Sequence, residues 1–358
     1  MTIDYPWLLK VPKTDLHVHL DGSLRPATLL ELAEASGVAV PAGDEGELRR
    51  LLQINGGERS LGRYLEAFRY TVPVLQNEAA LERAAYELAL DAAAENVRLM
   101  EVRYSPLLHR DQGLQFGEII AAVNRGLTRG AEETGIVCGQ ILCGIRHMTP
   151  EKSLELAEAT LKHKDHGIVA FDLAGEEKDY PAKKHREAFY FIKNHNLNST
   201  LHAGEAFGPE SIAQALHYCG THRIGHGTRL WEDPSLMEYV NDHRIPLEVC
   251  LTSNLHTGAV ANLRDHPFRK YLDRGLRVTL NTDNRLMSDT CVTKEYHAAV
   301  QALGLSASEI HEIVINGFKS AFLPHDQKVA LVRQVVQELE DLGVPGHHLY
   351  TDGRGDHL

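Results

Sequence analysis

KTDLHVHLDGS, Lys13 to Ser23, places two histidines one residue apart inside an apolar run and follows them with Asp-Gly. As a strand, this stretch sends His17 and His19 to the same face, because side chains alternate with period two. Two imidazoles together on a buried face cost free energy unless something engages their nitrogens. A metal ion would do so, and it would need further ligands from elsewhere in the chain.

The rest of the sequence alternates short β-rich segments with longer helical ones. Besides 14–20, strands are expected over 97–105, 137–145, 167–175, 198–205, 222–228, 245–254 and 276–284. Several are continuous apolar runs, as in strands covered on both faces. Helical patterns such as 117–135, 209–220, 234–243 and 266–275 lie between them. Eight strands, each followed by a helix, predict an α/β fold of the (β/α)8 TIM-barrel type. The competing doubly wound open sheet would carry a glycine-rich nucleotide turn after its first strand, and HLDGSLRP is not one.

The 358 residues are expected to form a single domain. The interval of about 25–96 is too long for one helix and reads as extra helices inserted after strand 1. In a barrel such an insertion stands over the C-terminal face, as a lid or as plain extra packing. The tail, about 343–358, is expected to be loose.

Composition narrows the function. The formal net charge of −12 argues against a nucleic-acid or anionic-membrane partner, since such proteins gather Lys and Arg. No apolar run reaches membrane-spanning length, and the N-terminus has no secretory pattern, so a cytoplasmic location is expected. Five scattered cysteines without a Cys-x-x-Cys pair indicate neither a disulfide framework nor a thiolate zinc site.

The distinctive polar residues sit at the expected C-terminal ends of strands. Strand five ends LHAGE, with His202 and Glu205; strand six offers His226; strand eight ends LNTDN, with Asp283 and Asn284. Imidazoles and a carboxylate suit zinc. Singly, each has a plain reading. Most of the 21 histidines, among them His163, His166, His185 and His195 near helix ends, are expected in solvent. Asp283 alone would pass for a helix cap.

Taken together, TDLHVHLDGS, DLAGEE, HAGEAFGPESI, RIGHG, LEVCLTSN and VTLNTDN resemble the adenosine deaminase family of the metal-dependent amidohydrolase barrels. The match runs in order from about residue 13 to about 325. The resemblance implies that His17, His19, His202 and Asp283 hold one zinc ion per subunit. Glu205 would be the catalytic acid, and His226 would hold the attacking water beside Asp283. His19, Asp21, Gly175 and Asn284 would meet the substrate: Gly175 through its backbone N–H on the purine N3, and Asp21 on the ribose 5′-hydroxyl. The implied reaction is hydrolytic deamination of adenosine, and of 2′-deoxyadenosine, in purine salvage.

Glu248 and Ser253, placed on strand seven, are candidates for orienting the histidines. One position departs from the usual family pattern: Asn284 stands where a second Asp is common. An amide NH2 can donate to the purine N7 without first being protonated.

Rival readings make different demands. A binuclear barrel would need a lysine at the end of strand four, and none occurs before Lys178. The cytidine-deaminase zinc site needs Pro-Cys-x-x-Cys, which is missing. A deaminase of free adenine would favour Glu in place of Asp21. A nucleotide or aminofutalosine-type substrate meets Asp21 as a like charge for a 5′-phosphate. A metal-binding barrel without activity would have no use for Glu205. The sequence leaves the oligomeric state open.

Overall fold

In the computed structural model of the chain, residues 2–53 and 59–344 are described. Among them, five parallel strands lie side by side: β1 (Lys13–His19), β2 (Val97–Tyr104), β3 (Val137–Ile145), β4 (Ile168–Ala174) and β5 (Asn198–Ser199). Four more form a second parallel set: β6 (His202–Ala203), β7 (Ile224–His226), β8 (Leu247–Val249) and β9 (Val278–Leu280). β5 and β6 are the two halves of the strand expected over 198–205. Between them Thr200 N bonds Phe171 O at 3.0 Å and Gly225 N bonds Leu201 O at 2.8 Å, so one extended segment carries the pairing from the first set to the second.

The other join is at the two ends of the chain. His19 N donates to Asp283 O, and Asp283 N donates to His17 O, each at 2.7 Å. Below them Leu16 N reaches Asn281 Oδ1 at 2.8 Å, and Thr282 Oγ1 reaches Asp15 Oδ2 at 2.6 Å. These bonds close the ring, so the molecule is a (β/α)8 barrel and not an open sheet. Every residue of β1 is buried, because one face meets the barrel interior and the other meets helices.

Helices follow the strands, among them Phe116–Thr134, Pro150–Lys162, Arg186–Asn194, Pro209–His217 and Pro234–Asp242. Their ends carry chemical stops. Asp233 accepts from Leu236 N at 3.0 Å, and Phe116–Thr134 ends at Gly135 in the left-handed region.

Between β1 and β2 lie helices over Pro26–Ser36, Glu45–Leu52, Leu61–Leu65, Phe68–Thr71 and Glu78–Ala94. The last packs along Phe116–Thr134 as a barrel helix does. Leu61–Leu65 and Phe68–Thr71 stand over the C-terminal ends of the strands, where Leu61, Tyr64, Leu65 and Phe68 wall a cavity.

Two local expectations fail. The strand expected over 245–254 ends at Val249, and Leu251–His256 is helical, so Ser253 lies on a helix. A short apolar run such as LEVCL does not distinguish the two states, and Asn254 N bonding Cys250 O at 2.9 Å starts the turn. His185 is buried and not solvated, held by Ser153 Oγ at 2.8 Å and Arg146 O at 3.1 Å. The tail from residue 345 lies outside the described residues.

Candidate active site

The strand ends converge beneath the two short helices. Nitrogen or oxygen atoms of His17, His202, His226 and Asp283 lie within 4.8 Å of one another. His19 joins them: its Nε2 is 3.1 Å from His202 Nε2 and 3.3 Å from Asp283 Oδ1. His226 and Asp283 both hold left-handed backbone, each at φ +62°, an unusual conformation for side chains of this size. Such strain collects where surrounding structure forces a side chain to point inward.

The outer partners of the rings settle what their inner nitrogens can do. His17 Nδ1 lies 2.9 Å from Glu248 Oε2, and His202 Nδ1 lies 3.0 Å from Asp172 Oδ2. Both carboxylates are fully buried and held well below the usual carboxylate range. Burial opposes that ionisation, but the Arg103 and Arg223 charges and the hydrogen-bonded imidazoles outweigh it. Ionised carboxylates only accept, so each Nδ1 carries the proton and each Nε2 presents a lone pair inward. His17 Nε2 is buried without a hydrogen-bond partner. His202 Nε2 faces His19 Nε2.

Lone pairs converging on one point beside a buried carboxylate repel unless a cation lies among them. The residues therefore fit a divalent metal. Burial and the Arg103 charge push His17 down to about 4, and burial holds His19 well below its ordinary value, so both rings stay neutral and able to coordinate. Asp283 stays ionised: burial raises its pKa, but the surrounding imidazoles of His17, His19 and His226 lower it by more. Ser253 Oγ donates to Asp283 Oδ2 at 2.5 Å. Of the two candidates for orienting histidines, Glu248 touches one, whereas Ser253 holds the aspartate.

Gly225 makes room for this packing. A Cβ there would lie 3.0 Å from His17 Cε1 and 3.1 Å from His202 Cα. Gly22 does the same for Asn284, whose Oδ1 would stand 1.7 Å from an added Cβ.

Glu205 sits beside the cluster, buried, with Oε2 3.6 Å from His226 Nε2. Burial raises its pKa, and the Asp283 charge adds to the rise. Thr257 Oγ1 and Asn254 Nδ2 hold its other oxygen at 2.9 and 3.2 Å. Its backbone is held by Glu177, which no motif spacing singles out. Glu177 accepts four consecutive backbone N–H groups: Gly204 at 2.5 Å, Glu205 at 3.1 Å, Ala206 at 2.6 Å and Phe207 at 2.7 Å. Arg103 joins Asp172 at 3.0 Å to Glu248 at 2.8 Å. A charged residue inside the apolar run VRLMEVRYS was the available clue.

A cavity of about 260 Å³ opens onto these groups, lined also by Asp21, Ser105, Ile145, His147, Gly175 and Asn284. Asp21 Oδ1 is buried there without a partner, and burial pushes its carboxyl up to about 7. His19, Asp21, Gly175, His202, Glu205, His226, Asp283 and Asn284 line the cavity, and His17 packs beside them.

The family model described as adenosine deaminase matches residues 12–338. An adenosine deaminase of Mycobacterium leprae is 42% identical over 345 residues, covering 92% of this chain and 95% of that protein. Among solved structures, an adenine deaminase from Arthrobacter aurescens aligns with TM-score 0.86 and 27% identity, covering 92% of this chain and 99% of that one. An Arabidopsis N6-mAMP deaminase aligns with TM-score 0.82 and 29% identity, covering 94% and 99%. A match of that extent, over a barrel whose strand ends gather these histidines and carboxylates, places the chain in the adenosine deaminase family.

Proposed function

We propose that the chain is a zinc enzyme that converts adenosine and water to inosine and ammonia, with 2′-deoxyadenosine as a second substrate. The carrying observation is the buried Glu205, its pKa raised, set three residues beyond His202 at the edge of the imidazole cluster. His17, His19, His202 and Asp283 would hold one zinc ion per subunit, which supplies a water acidified to a pKa of about 7.

The protein's own groups do the rest. C6 of adenine accepts a nucleophile once N1 gains a proton, and Glu205, whose pKa burial raises, is the acid that delivers it. His226, 3.6 Å from Glu205 Oε2, holds the attacking water and steadies charge that develops on it. Asp283, in the same cluster, would bear on that water as well. Gly175 bonds N3, Asn284 donates to N7, and Asp21 bonds the ribose 5′-hydroxyl through its unpartnered Oδ1. Loss of the C6–N bond releases ammonia, and the ring carbonyl of inosine forms.

The low-dielectric pocket also bears on rivals. A 5′-phosphate would meet the Asp21 carboxyl in a buried place, and free adenine would leave it unused. No helix among the described residues is long and apolar enough to cross a membrane. The five cysteines are unpaired, which suits a reducing cytoplasm.

Two measurements test this reading. Turnover of adenosine, deoxyadenosine, adenine, AMP and aminofutalosine, read as ammonia, and of N6-methyl-AMP, read as methylamine, should be fastest with the first two. Glu205→Gln should bind metal normally and lose at least about 100-fold in kcat. Faster turnover of adenine or of a nucleotide would overturn the substrate assignment.

A further inference from the structure

The orientation of His226 can be traced, bond by bond, to a backbone amide outside the cavity. Phe268 N–H donates to His266 Nδ1 at 3.0 Å. A backbone amide cannot accept, so Nδ1 holds a lone pair and the ring proton lies on Nε2. His266 is buried, and burial presses its pKa down to about 3, which keeps the ring neutral.

That Nε2–H meets Asn254 Oδ1 at 3.2 Å, and Thr228 Oγ1 reaches the same oxygen at 2.9 Å. The oxygen end of the Asn254 amide is thereby fixed by its partners. Its NH2 end faces Glu205 Oε1 at 3.2 Å and His226 Nδ1 at 3.1 Å, one hydrogen for each. An amide nitrogen donates only. His226 Nδ1 therefore accepts, and the proton of the neutral ring lies on Nε2, the nitrogen that faces Glu205 Oε2 and the cluster.

We propose that His266 and Asn254 are positioning residues that lock His226 as its Nε2–H tautomer, making it a hydrogen-bond donor toward the attacking oxygen and not a base. The same amide occupies Glu205 Oε1, which leaves Oε2 to carry the acid proton. What the Nε2–H group faces during reaction rests on the deaminase reading above; the tautomer itself does not. Asn254 and His266 act through other side chains, so neither is a catalytic residue.

The test begins with the native, metal-loaded, full-length protein labelled with 15N-histidine. Two-bond 1H–15N spectra distinguish the two neutral tautomers and the imidazolium, and the His226 signals are those lost in His226→Gln or shifted by inosine. The expected pattern at pH 7 is Nε2–H. Asn254→Asp replaces the donor with an acceptor, so the pattern should switch to Nδ1–H. Its kcat should fall about 100-fold, the scale of losing one aimed donor, while KM stays within about threefold. His266→Phe frees the amide to rotate, and both patterns should appear together.

A native His226 seen as Nδ1–H, or with both nitrogens protonated, overturns the proposal whether or not any Asn254 variant folds. Asn254→Asp with kcat within threefold of native overturns it as well. Should no purine be deaminated, the functional reading fails while the native spectrum still decides the tautomer.

Discussion

Arg103 and Glu248 form a fully buried ion pair of 2.8 Å, and the Glu248 oxygen that Arg103 holds is the one bonded to His17 Nδ1. With its other arm Arg103 bonds Asp172, which backs His202. One guanidinium thus steadies the supports of two imidazoles from strands on opposite sides of the ring. Arg103→Met would leave buried Asp172 without its guanidinium and Glu248 with Arg223 alone. The expected loss is about 3–5 kcal/mol of stability, together with weaker metal binding. Urea unfolding and competition with a chelator measure the two separately.

Glu177→Ala should act on the reaction more than on binding. Four backbone N–H groups of the 204–207 turn would lose their common acceptor, and Glu205 would no longer be fixed to within an ångström. Misplacement on that scale costs about 100-fold in rate. Steady-state kinetics should show kcat falling while the inhibition constant for inosine barely moves.

Gly225→Ala adds one methyl group where there is contact-distance space only. Its Cβ would press on the His17 ring and the His202 backbone together. Displacing either ring should weaken metal affinity by at least about tenfold, the usual scale of lost imidazole orientation. Titration of the metal-free protein with zinc, read by calorimetry, checks this.

Acid should destabilise the protein through buried histidines, and His109 isolates the effect away from the cluster. Burial lowers its pKa from 6.5 to about 4. Between those values the unfolded chain binds a proton that the native ring refuses. Stability therefore falls as pH drops from 6.5, and the loss levels off below 4. A depression of this size is worth about 3 kcal/mol at pH 4. Unfolding of wild type and His109→Gln at pH 7 and pH 4.5 should show a shallower pH dependence in the variant.

Much of the architecture could be read from hydrophobic runs of the right length, because strands with both faces covered leave near-continuous apolar stretches. The errors came where that cue is silent. LEVCLTSN offers no periodic difference between a strand and the helix that begins at Leu251. The buried His185 gave no sign either, because its partners Ser153 and Arg146 are brought to it only by the fold. Within the site, His17, His19, His202, Glu205, His226 and Asp283 stand out because imidazoles and carboxylates are unusual in apolar company. Glu177, Asn254 and His266 did not stand out. Their part depends on which backbone amides and ring nitrogens they meet after the chain folds, and no spacing along the sequence encodes that.

The closure at Asp283 has a consequence for biogenesis. The residue that zips the last strand to the first through its main chain also turns its carboxylate toward the histidine cluster. During synthesis, His17 and His19 emerge early and must wait for some 260 further residues before the centre can assemble. A ribosome-bound fragment ending short of residue 283 would have an unsealed seam and an incomplete cation cradle at once, so maturation of the catalyst and sealing of the cylinder are the same late event.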